Sequence, residues 1–121
     1  MVDPTSAQHL AWAEQNEKIF NAIRAKWPDW AATLLFYVAV HEVQALIVDA
    51  ASERPETHKE RNILIRKHWR GTVWGPYEHL SQLSRNARYD CHTPTVGELN
   101  NAVLALTKFR MAVAAVRVGM P

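Results

Sequence analysis

Apolar residues recur along this chain at helical spacing, and no segment alternates in the manner of a strand or carries hairpin turn signals. Trp12, Ile19, Phe20, Ile23 and Trp27 mark a first helix, which Asp3-Pro4 opens with Asp as cap and Pro in the first turn. Pro28-Asp29 ends it, and Asp29 is placed to cap a second, strongly apolar helix over about residues 30–50. A polar loop, Ala50 to Pro55, leads to a third helix from about Glu56 to Trp69. After a break at Gly71 to Pro76, a fourth helix over roughly 76–88 carries Tyr77, Leu80, Leu83, Ser84 and Ala87 on one face. Thr95-Val-Gly-Glu98 fits a capping box for the fifth, where Leu99, Val103, Leu106, Phe109, Val113 and Val116 form an apolar stripe. The pattern predicts an all-α protein, an antiparallel up-and-down bundle of four to five helices.

At 121 residues the chain is long enough for one domain and one core, spanning 1–121. The second helix is apolar enough to raise the question of a membrane span. His41, Glu42 and Gln44 interrupt it, so we expect a buried helix of a soluble bundle and no membrane partner. A single cysteine, Cys91, excludes an internal disulfide, and no signal peptide is recognisable at the start; both fit a cytoplasmic location. The net charge of +2 is too mild to imply nucleic-acid binding. The local distribution says more: Arg54, Lys59, Arg61, Arg66, Lys67 and Arg70 cluster around the third helix, either as a solvated face or as a patch for a polyanion such as RNA.

Several cofactor and catalytic classes lack their signatures. There is no paired Cys, no His-Glu-x-x-His, no Gly-rich phosphate loop and no Gly-x-Ser-x-Gly elbow, so no cofactor and no metal is expected. Three constellations remain. Thr33, Tyr37, His41 and Gln44 form a polar stripe on the second helix, either hydrogen-bonded within the bundle or, for His41, facing a pocket or a dimer seam. His58, Arg61 and His68 share a narrow arc of the third helix; Arg61 and His68 pair as candidates for chemistry, or Arg61 braces the bundle through Glu42 or Glu60. Arg85, Asn86, Arg88, Tyr89 and His92 lie at the end of the fourth helix and in the loop after it. There two guanidiniums one turn apart can hold one anion, and an imidazole can move its protons. Arg88-Tyr89 also reads as a structural corner. Lys108, Arg110 and Arg117 read as exposed charges, and Trp69 and Trp74 as the most exposed tryptophans.

Two stretches resemble the HEPN family of small helical domains. One is Phe36-Tyr37-x-Ala39-x-His41-x-x-x-Ala45-Leu46; the other is Leu80-x-x-x-Ser84-x-x-Ala87-Arg88-Tyr89-Asp90, with His58-x-x-Arg61 between them. The resemblance covers residues 30–118. It implies a helical bundle, a homodimer and, in active members, a metal-independent ribonuclease of toxin–antitoxin or phage-defence systems. Its catalytic signature is an Arg, a short spacer and a His. Arg85-Asn86…His92 matches with six residues between, and Arg61-Asn62…His68 matches one helix earlier. Under this resemblance Arg85, His92 and Asn86 are the expected catalytic residues, and Arg88, Tyr89, His41, His58, Arg61 and His68 bind or support. The alternative it implies is a non-catalytic module that binds RNA, a nucleotide or a partner protein such as an antitoxin or a nucleotidyltransferase.

Overall fold

The computed structural model of the protein describes residues 2–120. Five helices follow one another: α1 (Ser6–Ile23), α2 (Pro28–Ala51), α3 (His58–Trp69), α4 (Trp74–Tyr89) and α5 (Val96–Val118). Among the described residues there is no strand, and the protein is an all-α bundle.

The caps explain where the helices begin. Thr5, not Asp3, caps α1: its hydroxyl accepts from Gln8 N at 3.1 Å, and Gln8 Oε1 accepts from Thr5 N at 2.8 Å. This reciprocal box satisfies two free amides at once, which Asp3 followed by Pro4 does not do. Pro28 is itself the first residue of α2, and Asp29 lies in the first turn without capping it, where its charge faces the positive helix end. Thr57 caps α3 through Glu60 N, so that helix starts two residues later than the spacing suggests. At α5 the expected box is present, with Thr95 and Glu98 exchanging bonds of 3.0 Å in both directions. Ser52 closes α2 in the left-handed region, at φ 56°.

α2 is the centre of the bundle, packing against α1, α4 and α5 and more lightly against α3. It is long and apolar enough to cross a membrane, as is α5. Thirteen of α2's residues are buried, so its apolarity is accounted for by the core. The apolar stripes predicted on α4 and α5 face inward, led by Tyr77, Leu80, Leu99, Leu106 and Phe109. The stripe predicted on α1 does so only in part: Phe20 and Ile23 face the core, Phe20 beside the small Ala13, while Trp12 (55% exposed), Ile19 and Trp27 face outward. A methyl at position 13 lets the α1 and α2 backbones approach, which an indole would prevent. Trp69 and Trp74 are half-buried against the core, and the exposed indoles are instead Trp12, Trp27 and Trp30.

Charged side chains tie α1 and α5 over α2. Arg110, expected on the surface, is half-buried. It donates from Nη1 and Nη2 to Glu17 at 3.0 and 2.7 Å, and from Nε to Glu42 at 3.0 Å. Arg24 bonds Asn100, and Arg117, also expected free, bonds Asp49. These pairings run α1 antiparallel to α5 and α2 parallel to it. The Arg110 bonds hold the Glu17 carboxyl below the usual carboxylate range, whereas burial pushes Glu42 up against the same pull.

Candidate functional site

Part of the polar set comes together: Tyr37 and Gln44 of α2, His58 and Arg61 of α3, and Arg85 and Arg88 of α4. Gln44, buried on α2, uses both ends of its amide: Nε2 donates to Pro55 O at 3.0 Å, and Oε1 accepts from Arg61 Nε at 3.0 Å. Arg61 is therefore fixed to α2 through Gln44, not through Glu42 or Glu60; Glu42 is taken by Arg110 and Glu60 bonds Glu56 N. Arg61 is only 8% exposed, and its Nη1 donates to His58 Nδ1 at 3.0 Å. A guanidinium cannot accept, so this bond makes Nδ1 of His58 the acceptor and puts the proton of the neutral ring on Nε2. Burial, then the charges of Arg61, Arg88 and Arg85, hold His58 below its ordinary pKa. The rings of Phe36 and Tyr37 lie against it.

α4 supplies the other cations. Arg88 Nε donates to Ser84 O at 3.4 Å, and its guanidinium lies 5.1 Å from the Tyr89 ring and 6.0 Å from those of Phe36 and Tyr37. This is the expected corner, built by cation–π contact. Arg85 is exposed and hydrogen-bonds to nothing among the described residues, yet its charge reaches His58. Beneath this surface the Tyr77 and Ser84 hydroxyls are buried without a partner. Tyr77 Oη lies beside Arg61 without forming a well-aligned bond, and burial pushes its pKa up to about 12.

His92 lies in the loop just past the end of α4. Its backbone N–H bonds Asn86 O at 3.2 Å, folding the loop back over the helix end. Its Nε2 lies 2.9 Å from both carboxylate oxygens of Glu98. A carboxylate accepts, so Nε2 carries the hydrogen and Nδ1 of the neutral ring keeps its lone pair. Bonds from Thr95 N and then His92 hold Glu98 below the usual carboxylate range. The Asn86 side chain accepts from Gln82 at 3.3 Å. Cys91, between the two, takes φ 54°.

No family model, curated protein or solved structure matches this chain.

The second candidate pair is not assembled. Arg61 is buried beside Gln44 and bonded to His58, while His68 is exposed two turns on, its ring against Trp69. His41 is half-buried, as expected of a residue on the most apolar helix. It meets the N-terminal turn of α1: its Nδ1 is 3.0 Å from Nδ1 of His9, and the Trp12 ring stacks beyond it. His9 and Glu98 carried no signal as functional positions. Glu98 reads as a cap, which it is, and His9 stands alone near the start of the first helix, with no other candidate beside it in the sequence. Among the described residues no group of three or more His, Cys, Asp or Glu is placed to hold a metal.

Proposed function

We propose that this protein binds RNA along the end of α4 and cleaves it without a metal, as the resemblance to HEPN ribonucleases implies. The observation that carries the reading is the His92–Glu98 bond. A carboxylate orienting one ring nitrogen leaves the other free to take a proton, the arrangement a general base needs. Arg85, which bonds to nothing among the described residues and lies in the last turns of α4, supplies the charge for the scissile phosphate. Arg88 and His58 Nε2–H, beside Arg85, supply donors for the same or a neighbouring phosphate. The base takes the 2′-hydroxyl proton, the 2′-oxygen bonds to phosphorus to give a 2′,3′-cyclic phosphate, and the P–O5′ bond breaks as the 5′-oxygen takes a proton from water. Such a protein acts in the cytoplasm, without a cofactor, and as a homodimer. In support of a dimer, α5 leaves Leu104, Met111 and Val118 exposed at a seven-residue spacing, the repeat of a helix–helix seam. The direct test is cleavage of single-stranded RNA by purified protein in EDTA, with His92→Ala and Glu98→Gln as variants; intact RNA under all conditions removes the catalytic reading.

One observation favours the second reading, a non-catalytic module for RNA, a nucleotide or a partner protein. The bond from Arg61 fixes His58 as a donor, so the arginine surface is arranged to hold a phosphate and not to deprotonate a hydroxyl. RNA binding that survives when cleavage is absent decides for that reading.

A further inference from the structure

A second polar cavity lies on the far side of Arg61. Its volume is about 300 Å³, and it opens where the segment before α1 crosses the end of α2 and the loop leading to α3. His9, His41, Gln44, Arg54 and Arg61 line it, with the carboxylates of Asp3 and Glu56 also in its wall. Two of these groups are built in. Gln44 and Arg61 are each more than nine-tenths buried, locked to one another by the 3.0 Å bond. Arg61 uses Nε and Nη1 in that network, and its Nη2 donates to no protein group among the described residues. Arg54 spends one nitrogen on Pro4 O at 2.8 Å and makes no other side-chain bond among the described residues. Two guanidiniums and two imidazoles therefore border one polar space.

We propose that this cavity is a binding site for a phosphate group, held by Arg61 and Arg54 and completed by the imidazoles of His9 and His41. Chemistry favours an anion over a cation. The two histidines face each other through Nδ1 at 3.0 Å, close to the spacing of two ligands on one metal, but among the described residues no third donor joins them, and two guanidiniums stand beside them. After burial, the influences that hold both imidazoles below their usual pKa are cationic, Arg61 foremost for His9 and His9 then Arg61 for His41. A bound anion would relieve that field. The cavity is large enough for a phosphate with part of what it esterifies. This site is separate from the α4 terminus and does not depend on cleavage there.

The experiment is a titration of the full chain with inorganic phosphate at constant pH and ionic strength, followed on the imidazole ¹H–¹⁵N resonances. Saturable shifts at His9 and His41 with little change at His58 are expected. Arg54→Ala, at an exposed position, should weaken binding about tenfold, the loss of one charge-assisted contact. His41→Gln should weaken it in a chain whose fold is checked by its thermal transition. Short RNA with and without a 5′-phosphate then separates the sources: tighter binding of the phosphorylated form points to an RNA end, and equal binding to free phosphate as the ligand. No saturable shift at His9 and His41, shifts confined to His58, or an unaltered affinity in Arg54→Ala overturns the proposal. RNA cleavage in EDTA, measured in parallel, reports on the α4 site independently.

Discussion

Arg61 Nε and Gln44 Oε1 meet at 3.0 Å in the interior of the bundle and lock α3, the shortest helix, to α2. The other end of the same amide holds Pro55 O, so one side chain fixes both the loop and the helix that follows it. Arg61→Ala orphans Gln44 Oε1 and the His58 contact together. It should destabilise the protein by about 2–3 kcal/mol in urea denaturation, the cost of unpairing buried groups bonded to a charge. Arg61→Lys keeps the charge without the fork and should recover less than half of that. A loss below about 0.5 kcal/mol for the alanine variant would show that α3 docks without this bond.

Arg110 holds a carboxylate from α1 and one from α2 at once. Arg110→Met keeps the aliphatic stem and leaves Glu42 buried beside Glu17 without a counter-charge, so a loss of about 2 kcal/mol is expected. Adding Glu42→Gln to that variant should return part of it, because the cost lies in the stranded charge. The double-mutant cycle measures this directly, and additive effects would deny the coupling.

Acid should weaken the fold in a defined window. His9, His41 and His58 are each held below the ordinary imidazole pKa, chiefly by burial, so the unfolded chain takes up protons at a higher pH than the native one. Their stabilising effect is complete above about pH 6.5 and is lost as pH falls through the lower native values. The urea midpoint should therefore drop between pH 7 and pH 5. His41→Gln and His58→Gln should each flatten that slope; an unchanged slope in both variants would place the dependence elsewhere.

His92→Ala should lower RNA cleavage by roughly 10²–10⁴ while the chain stays folded, since His92 lies in a surface connection. Glu98→Gln retains an acceptor for Thr95 N and thus the α5 cap, yet removes the charge that orients the imidazole. A rate loss in Glu98→Gln with an unchanged thermal transition separates orientation from capping. Activity kept in His92→Ala but lost in His58→Ala would move the chemistry to the arginine surface.

Ser52 closes α2 at φ 56°, where a side chain is strained and glycine is not. Ser52→Gly should raise stability by about 0.5–1 kcal/mol, read from the thermal transition, and a decrease would mean that the Ser52 side chain contributes more than its backbone strain costs.

The helices were legible because their information is local. Periodicity marked α2, α4 and α5, and Thr95 with Glu98 announced a cap that the structure contains. The start of α1 was misplaced because Asp-Pro and Thr-x-x-Gln compete two residues apart, and only the second closes a reciprocal box. The outward tryptophans were missed because an aromatic stripe at helical spacing does not say which side of the helix meets the core. Of the polar groups, the residues of the α4 terminus were visible as types in order. Their partners were not: Glu42 meets Arg110 across 68 positions and His9 meets His41 across 32, and no pattern along the chain encodes such a meeting.

The bonds from Arg110 to Glu17 close a loop of 93 positions, whereas α1 and α2 are joined by a turn of only a few residues. Closing the longer loop costs more chain entropy, so the α1–α2 hairpin is expected to form early and α5 to dock afterwards. Contacts made after the rate-limiting barrier govern how fast the native state opens, not how fast it is reached. The Arg110 clasp thus acts as a latch on the lifetime of the folded protein: breaking it should speed unfolding and leave refolding nearly unchanged.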